Sequence, residues 1–148
     1  MTRYFEDIAV GDVEEFGSYT LTEAEIVEFA ERYDPQWFHT DPERAADSMY
    51  GGLIASGWQT AAVTMRMLVD EYLSKTATLG AKGVDELRWP RPVRPGDTLS
   101  VRTEVVDRHA DRPDRGVVDT RTETFNDDGE RVFSMVSHAM FARRDGDD

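Results

Sequence analysis

The segment from residue 56 to residue 73 constrains the fold more than any other part of the chain. Ser56 is a suitable N-cap, and the apolar side chains after it cover most of a helical wheel: Trp58, Ala61, Ala62, Val63, Met65, Met67, Leu68 and Val69. A helix that is apolar nearly all round is expected to be buried. Arg66, the charged exception, has Asp70 four residues further on as an ion-pair partner. We therefore expect one central helix that the rest of the chain encloses.

The enclosing layer is predicted by a change in periodicity. From Gly83 onward apolar and polar residues alternate, which predicts strands over residues 84–89, 98–109, 116–126 and 130–143. Asp111 to Arg115 is expected to be a polar loop, and Asn126 to Gly129 a hairpin loop. Before the central helix, a short strand over 13–19 and a helix that starts at the Thr22/Glu25 capping box and runs to Tyr33 are expected. This order predicts a single α+β domain over residues 1–148, with an antiparallel sheet around one helix.

Composition excludes several classes of function. The net charge is −13, from 30 acidic and 17 basic residues, so nucleic acid and anionic membranes are poor partners. There are no cysteines, which excludes disulfides and thiolate chemistry. We expect a soluble cytoplasmic protein without a targeting segment, and the acidic, lysine-poor surface suggests a high-salt cytoplasm. No ligand set for a metal is visible.

A short rigid stretch carries the candidate chemistry. Asp34, Gln36 and His39 stand between Pro35 and Pro42, and Pro35 is expected to end the preceding helix so that His39 lies on a loop. A carboxylate and an imidazole with fixed spacing suit general acid–base catalysis. The alternative interpretation is an ordinary turn, since Asp-Pro is common in turns.

Three motifs resemble those of one known family. Residues 34–39, followed by Asp41-Pro42, are similar to an Asp-x-Asn-Pro-x-His hydratase signature. Residues 52–57, Gly-Leu-Ile-Ala-Ser-Gly, are similar to the segment that leads into a central helix, and residues 91–99 are similar to Pro-Val-x-x-Gly-Asp-Thr-Leu before a long strand. From about residue 5 to residue 142 the chain thus resembles the MaoC-like dehydratases and (R)-specific enoyl-CoA hydratases. The resemblance implies a hot-dog fold, in which a curved antiparallel sheet wraps a long central helix.

The resemblance also implies a reaction. It is the interconversion of a trans-2-enoyl-CoA and an (R)-3-hydroxyacyl-CoA, with Asp34 and His39 as the catalytic pair and no cofactor besides the coenzyme A of the substrate. Gly57, at the start of the central helix, is expected to offer its backbone N–H to the enolate oxygen, because a residue without Cβ lets a carbonyl approach closely. A homodimer or higher homo-oligomer is expected as well, because one layer of strands around one helix leaves an edge and a face to cover.

Further residues are assigned supporting roles. Gln36 and Ser56 are expected beside the catalytic pair, and an apolar acyl slot is expected among Trp37, Phe38, Trp58 and Met65, all of which could instead be plain core. Coenzyme A phosphates could pair with Arg88, Arg91 and Arg94, for which a solvated strand edge is the alternative.

The chain departs from the family pattern at several positions. Gln36 and Trp37 stand where the signature has Asn and Pro, and Ser56 stands where His is often found. Ala61 and Ala62 occupy a region where some hydratases have a serine. These departures leave substrate choice open.

Two other functions compete with the hydratase. A hot-dog thioesterase usually has a carboxylate on or beside the central helix, and residues 56–69 contain none. A non-catalytic acyl-CoA-binding subunit would keep the fold without the reaction, but both Asp34 and His39 are retained.

Overall fold

The computed structural model describes residues 1–144, which form four α-helices and one five-stranded sheet. The helices are α1 (Glu23–Tyr33), α2 (Trp37–Thr40), α3 (Pro42–Ala45) and α4 (Gly57–Glu71). The strands are β1 (Val13–Thr20), β2 (Thr78–Arg88), β3 (Thr98–Arg112), β4 (Arg115–Phe125) and β5 (Arg131–Ala142). The sheet order is β1-β3-β4-β5-β2 with antiparallel pairs throughout, so β1 and β2 are the edges.

Local sequence signals set the start of α1 and its end. The Thr22 hydroxyl accepts a hydrogen bond from the Glu25 N–H, and the Glu25 carboxylate accepts one from the Thr22 N–H, which confirms the capping box. The helix ends at Tyr33, and Asp34 follows as its C-cap. His39 was expected on a loop, but it lies in α2. Gln36 is extended, and the bonds from His39 N to Gln36 O at 2.9 Å and from Asp41 N to Trp37 O at 2.9 Å then close one helical turn.

The central helix α4 is confirmed, but the expectation that it is buried all round is wrong for the single chain. Its buried stripe carries Val63, Met67 and Leu68, whereas Trp58 is 60% exposed and Met65 46% exposed. Polar residues take several of the buried positions, and Gln59 and Thr64 form hydrogen bonds there. The Gln59 amide donates to Glu25 O at 3.0 Å, for example, and the expected pair of Arg66 with Asp70 forms on the exposed side at 2.8 Å.

The sheet differs from the prediction mainly at β2. This strand begins at Thr78 rather than at residue 84. The sequence does not reveal its first part, because Gly80, with φ +99°, and several register shifts against β5 interrupt the period-two pattern. The loop expected at Asp111 to Arg115 is also shorter, since β3 continues to Arg112 and β4 starts at Arg115. The hairpin at Asn126 is confirmed by the bond from Asn126 N to Glu130 O at 2.9 Å and by a positive φ of +77° at Gly129.

One face of the sheet packs on α4 and forms the core. Val118, Thr120 and Thr122 of β4 are buried, as the alternation along this strand predicts. The core between helix and sheet contains Leu21, Ile26, Met67, Leu99, Val101 and Phe133. An antiparallel sheet packed on one long helix is the α+β hot-dog arrangement that was expected. No helix within residues 1–144 has the length and apolar character needed to cross a membrane.

Candidate active site

Asp34 and His39 are brought into contact at the junction of α1 and α2. The Nε2 atom of His39 lies 3.3 Å from Oδ2 of Asp34. The His39 side chain is 6% exposed and that of Asp34 is 18% exposed, so the pair is sheltered but accessible from one side. The Asp-to-His spacing in the sequence therefore produces the acid–imidazole pair that general acid–base chemistry requires.

A backbone carbonyl sets the orientation of the imidazole. The Nδ1 atom of His39 lies 2.7 Å from the carbonyl oxygen of Ile54. Because a carbonyl oxygen only accepts hydrogen bonds, Nδ1 carries the proton in this contact. In the neutral ring Nε2 is then an unprotonated acceptor, directed toward Asp34 and able to take a proton.

Asp34 is held in its charged form by its neighbours. Burial acts to raise the pKa of Asp34, but the Ser56 hydroxyl and the Gln36 amide outweigh it and keep that pKa below its usual value. Nε2 of Gln36 donates to Oδ1 of Asp34 at 2.8 Å. The two supporting residues named from the sequence thus both act on the same carboxylate.

The N-terminus of α4 contributes one free backbone donor. Ser56 is fully buried and caps the helix by accepting the Trp58 N–H at 3.3 Å, while the N–H groups of Gln59 and Thr60 reach Ser56 O at 2.9 and 3.1 Å. Within residues 1–144, this leaves the N–H of Gly57 as the first-turn donor of α4 without an acceptor. The dipole of the helix adds partial positive charge at the same place.

Trp89 is a site residue that the sequence analysis missed. Its Nε1 donates to the carbonyl oxygen of Gly57 at 2.8 Å, and a Cβ added to Gly57 would lie only 2.5 Å from Cε2 of the indole. Gly57 is therefore required for the packing of this ring as well as for access to its N–H. The contact joins residues 32 positions apart, and the available signal was an aromatic residue just before the Pro-rich segment 90–95.

These elements surround a cavity of about 360 Å³. His39 and Gly57 lie on its wall, and so do Phe38, Tyr50, Trp89 and the polypeptide from Pro90 to Val93. Of the four residues predicted to form an acyl slot, Phe38 lines this cavity. Trp37 is instead covered by the Arg44 guanidinium, 4.5 Å from its ring centroid.

A second, more apolar cavity of about 300 Å³ lies between α4 and the sheet. Met65 lines it together with Ala61, Leu68 and Tyr72, opposite side chains of β2, β4 and β5. Ala61 contributes only a methyl group, so the wall is apolar there. Trp58 lines neither cavity and packs edge-on against Trp89, with ring centroids 5.0 Å apart.

The three arginines predicted for coenzyme A are not brought together. Arg91 lines the cavity that contains His39 and pairs with Glu130 at 3.3 Å. Arg94 lies near Gly52, where an added Cβ would be 3.6 Å from its Nη1. Arg88 lies on the outer face of the sheet, where it lines a separate pocket of about 190 Å³ with two other arginines, Arg121 and Arg131. Across residues 1–144, no cluster of three or more His, Cys, Asp or Glu side chains is arranged to hold a metal ion.

Comparison with known proteins identifies the family. The profile of the MaoC like domain matches residues 7–127. A 3-hydroxyacyl-thioester dehydratase Z of Mycobacterium tuberculosis is 35% identical over 112 residues, which cover 70% of this chain and 74% of the relative. The structure of a MaoC-like dehydratase from Rhodospirillum rubrum is 42% identical and superposes with a TM-score of 0.88, covering 95% of this chain and 97% of that one.

A more distant structure supports the fold alone. A double hot-dog protein of Mycobacterium tuberculosis is 23% identical and has a TM-score of 0.76, covering 97% of this chain and 45% of that one. The fold is thus that of the hot-dog proteins. Within that class, the chain belongs to the MaoC-like hydratase and dehydratase family.

Proposed function

We propose that this protein is a hydratase or dehydratase that interconverts a trans-2-enoyl-CoA and an (R)-3-hydroxyacyl-CoA. The observation that carries the proposal is the 3.3 Å contact of His39 Nε2 with Asp34 Oδ2, beside a cavity that both His39 and Gly57 line. The named activity of the Mycobacterium tuberculosis relative, a 3-hydroxyacyl-thioester dehydratase, supports the same class of reaction.

The pair is suited to hold a water molecule as a nucleophile. The unprotonated Nε2 of His39 and the carboxylate of Asp34 both accept hydrogen bonds, so one water can donate a hydrogen bond to each. Its oxygen lone pair then points away from both acceptors and toward a substrate. The bond from His39 Nδ1 to Ile54 O at 2.7 Å holds the Nδ1 proton, so Nε2 is the nitrogen that can gain and lose a proton.

Hydration requires two new bonds and an electron sink. The water oxygen bonds to Cβ, the carbon–carbon π bond breaks, and negative charge moves to the thioester oxygen. The proton that leaves the water is taken up by the Asp34–His39 pair and returned to Cα, while the other stays on the new hydroxyl group. The N–H of Gly57 and the positive end of α4 stabilise the enolate oxygen between these steps, and one such donor typically lowers the barrier by about 3 kcal/mol.

The two cavities suit the two parts of the substrate. The cavity beside His39 takes the thioester, and the apolar cavity lined by Met65 and Ala61 takes an acyl chain. Arg91, on the wall of the first cavity, is the arginine best placed to meet a phosphate of coenzyme A.

A homodimer is part of this proposal. Trp58, Met65 and Val69 form an exposed apolar row on α4, and Leu79 and Val84 are exposed on the edge strand β2. Apolar surface beside an unpaired strand edge is suited to a second copy of the chain. Light scattering should give the mass of a dimer, and Val69→Asp should shift it toward the monomer.

The decisive assay follows the absorbance of the conjugated enoyl thioester of crotonyl-CoA. Asp34→Asn and His39→Ala should each lower kcat/KM by about 10²- to 10⁴-fold, the usual contribution of a general acid or base. His109→Ala is the matched control, since this histidine is exposed on β3 and should leave turnover unchanged.

Two results would contradict the mechanism. Turnover that survives both substitutions would remove the pair from the reaction. Release of free thiol from a saturated acyl-CoA, combined with no loss of enoyl absorbance from crotonyl-CoA, would instead identify a thioesterase.

A further inference from the structure

The indole of Trp89 forms a wall directly beside the N–H donor of α4. The three indole atoms nearest to a Cβ added at Gly57 would be 2.5, 2.7 and 2.8 Å away, so the ring occupies the space next to the Gly57 Cα. The hydrogen bond from its Nε1 to Gly57 O at 2.8 Å fixes the ring against this peptide. Trp89 and Gly57 line the same cavity as His39.

The ring is held in place on several sides. Trp58 packs edge-on against it at 5.0 Å between centroids, and Phe133 of β5 lies 6.4 Å away. Pro90, the next residue, restricts the backbone of Trp89 to extended conformations. A ring with these contacts is a fixed wall of the cavity.

The position of this wall has a consequence for substrate shape. A thioester carbonyl that accepts the Gly57 N–H comes within about 2.9 Å of that nitrogen. The acyl Cα is bonded to the same carbonyl carbon. The acyl Cα and any branch on it therefore lie close to Gly57, the residue against which the Trp89 indole packs.

We infer that Trp89 determines substrate specificity by excluding acyl groups that are branched at Cα. The inference rests on the proposed function, because it takes the Gly57 N–H as the group that binds the thioester oxygen. Trp89 is a wall residue in this scheme and takes no part in proton transfer. The substrate class that follows is an enoyl thioester with an unbranched Cα.

The test compares crotonyl-CoA with its 2-methyl analogue. In the wild-type protein kcat/KM should favour the unbranched substrate, and Trp89→Ala should shift the ratio toward the branched one by roughly tenfold or more, the discrimination that one methyl group can provide. Trp89→Phe, which keeps a ring but loses the bond to Gly57 O, should give a smaller shift and covers the case in which the alanine variant does not fold. Trp58→Ala is the matched comparison, because Trp58 touches the same indole from outside the cavity.

The outcomes separate a specificity role from a structural one. If Trp58→Ala changes the ratio as much as Trp89→Ala does, or if no Trp89 variant changes it, the inference is overturned. A parallel calorimetric measurement uses the saturated thioesters butyryl-CoA and 2-methylbutyryl-CoA. If the wild type turns over neither enoyl substrate while Trp89→Ala still improves binding of the branched thioester, the proposed function fails and the specificity role stands.

Discussion

Gly57→Ala tests the packing at the start of α4 most directly. The added Cβ would lie 2.5 Å from Cε2 of Trp89, whereas ordinary van der Waals contact begins at 3.4 Å. The indole must therefore move by about 0.9 Å, from 2.5 to 3.4 Å. Such a movement also stretches the bond from Trp89 Nε1 to Gly57 O, which is 2.8 Å long.

The energetic terms have opposite signs and unequal sizes. Overpacking in a well-packed site costs about 1–3 kcal/mol, and the loss of a hydrogen bond adds about 0.5–1.5 kcal/mol. Alanine recovers about 0.5–1 kcal/mol because glycine loses more backbone entropy in a helix. We therefore expect Gly57→Ala to lower the free energy of unfolding by about 1–3 kcal/mol, although helix propensity alone predicts the opposite sign.

The measurement is urea denaturation at one fixed protein concentration, since self-association would make the midpoint depend on concentration. Gly83→Ala is the matched control, because a Cβ at Gly83 meets nothing within 4 Å and should be neutral or slightly stabilising. In a protein that already carries Trp89→Ala, Gly57→Ala should cost little free energy of unfolding. The two substitutions should therefore show a coupling energy of about 1–3 kcal/mol. An equal penalty with and without the indole would refute the argument.

Two pH-dependent effects can be measured on the same material. Hydrogen bonds to Asp119 and Asp85 raise the pKa of His138, so the stability they contribute is complete below the ordinary histidine pKa of about 6.5 and is lost as pH rises through the raised value. The urea midpoint of His138→Gln should therefore differ from that of the wild type most near pH 6 and least near pH 9. An equal difference at both pH values would contradict this. Ser56→Ala removes a contact that lowers the pKa of Asp34, so the acid limb of the kcat/KM profile should move to higher pH, and an unmoved limb would contradict that role.

The sequence predicted what local signals determine. The start of α1 follows from the Thr22/Glu25 capping box, and the end from Pro35. The hairpin at Asn126 follows from a glycine placed where φ is positive. The contact of Asp34 with His39 also spans only five positions, so the sequence indicates that the two side chains can lie close together.

The missed features depend on contacts between distant segments. The ring nitrogens of His138 lie 2.7 Å from Asp119 on β4 and 2.7 Å from Asp85 on β2, and no local pattern around His138 indicates either contact. The first contact follows from the register that pairs Asp119 with His138, and the second requires the irregular pairing of β2. Strand register is set by the whole sheet, so a single sequence does not reveal it.

The exposure of α4 was missed for a related reason. A helical wheel counts apolar residues but does not say which of them face the partner layer. Thr64 is buried because its hydroxyl contacts Thr124 of β4 at 2.7 Å, whereas the apolar Met65 beside it is 46% exposed. The polar residue faces inward where a distant strand supplies its partner.

The backbone explains how the site can keep its geometry while the family signature varies. The backbone of Ile54 and Ala55 joins two other segments. Ile54 N donates to Phe38 O of α2 at 3.2 Å, and Ala55 N donates to Val93 O, after Trp89, at 2.8 Å. The same Ile54 also orients the imidazole of His39 through its carbonyl oxygen. Main-chain bonds of this kind do not depend on side-chain identity, so Gln36 can replace the asparagine of the signature and still reach Asp34 at 2.8 Å. The variable side chains are then free to shape the cavity without moving Asp34 and His39.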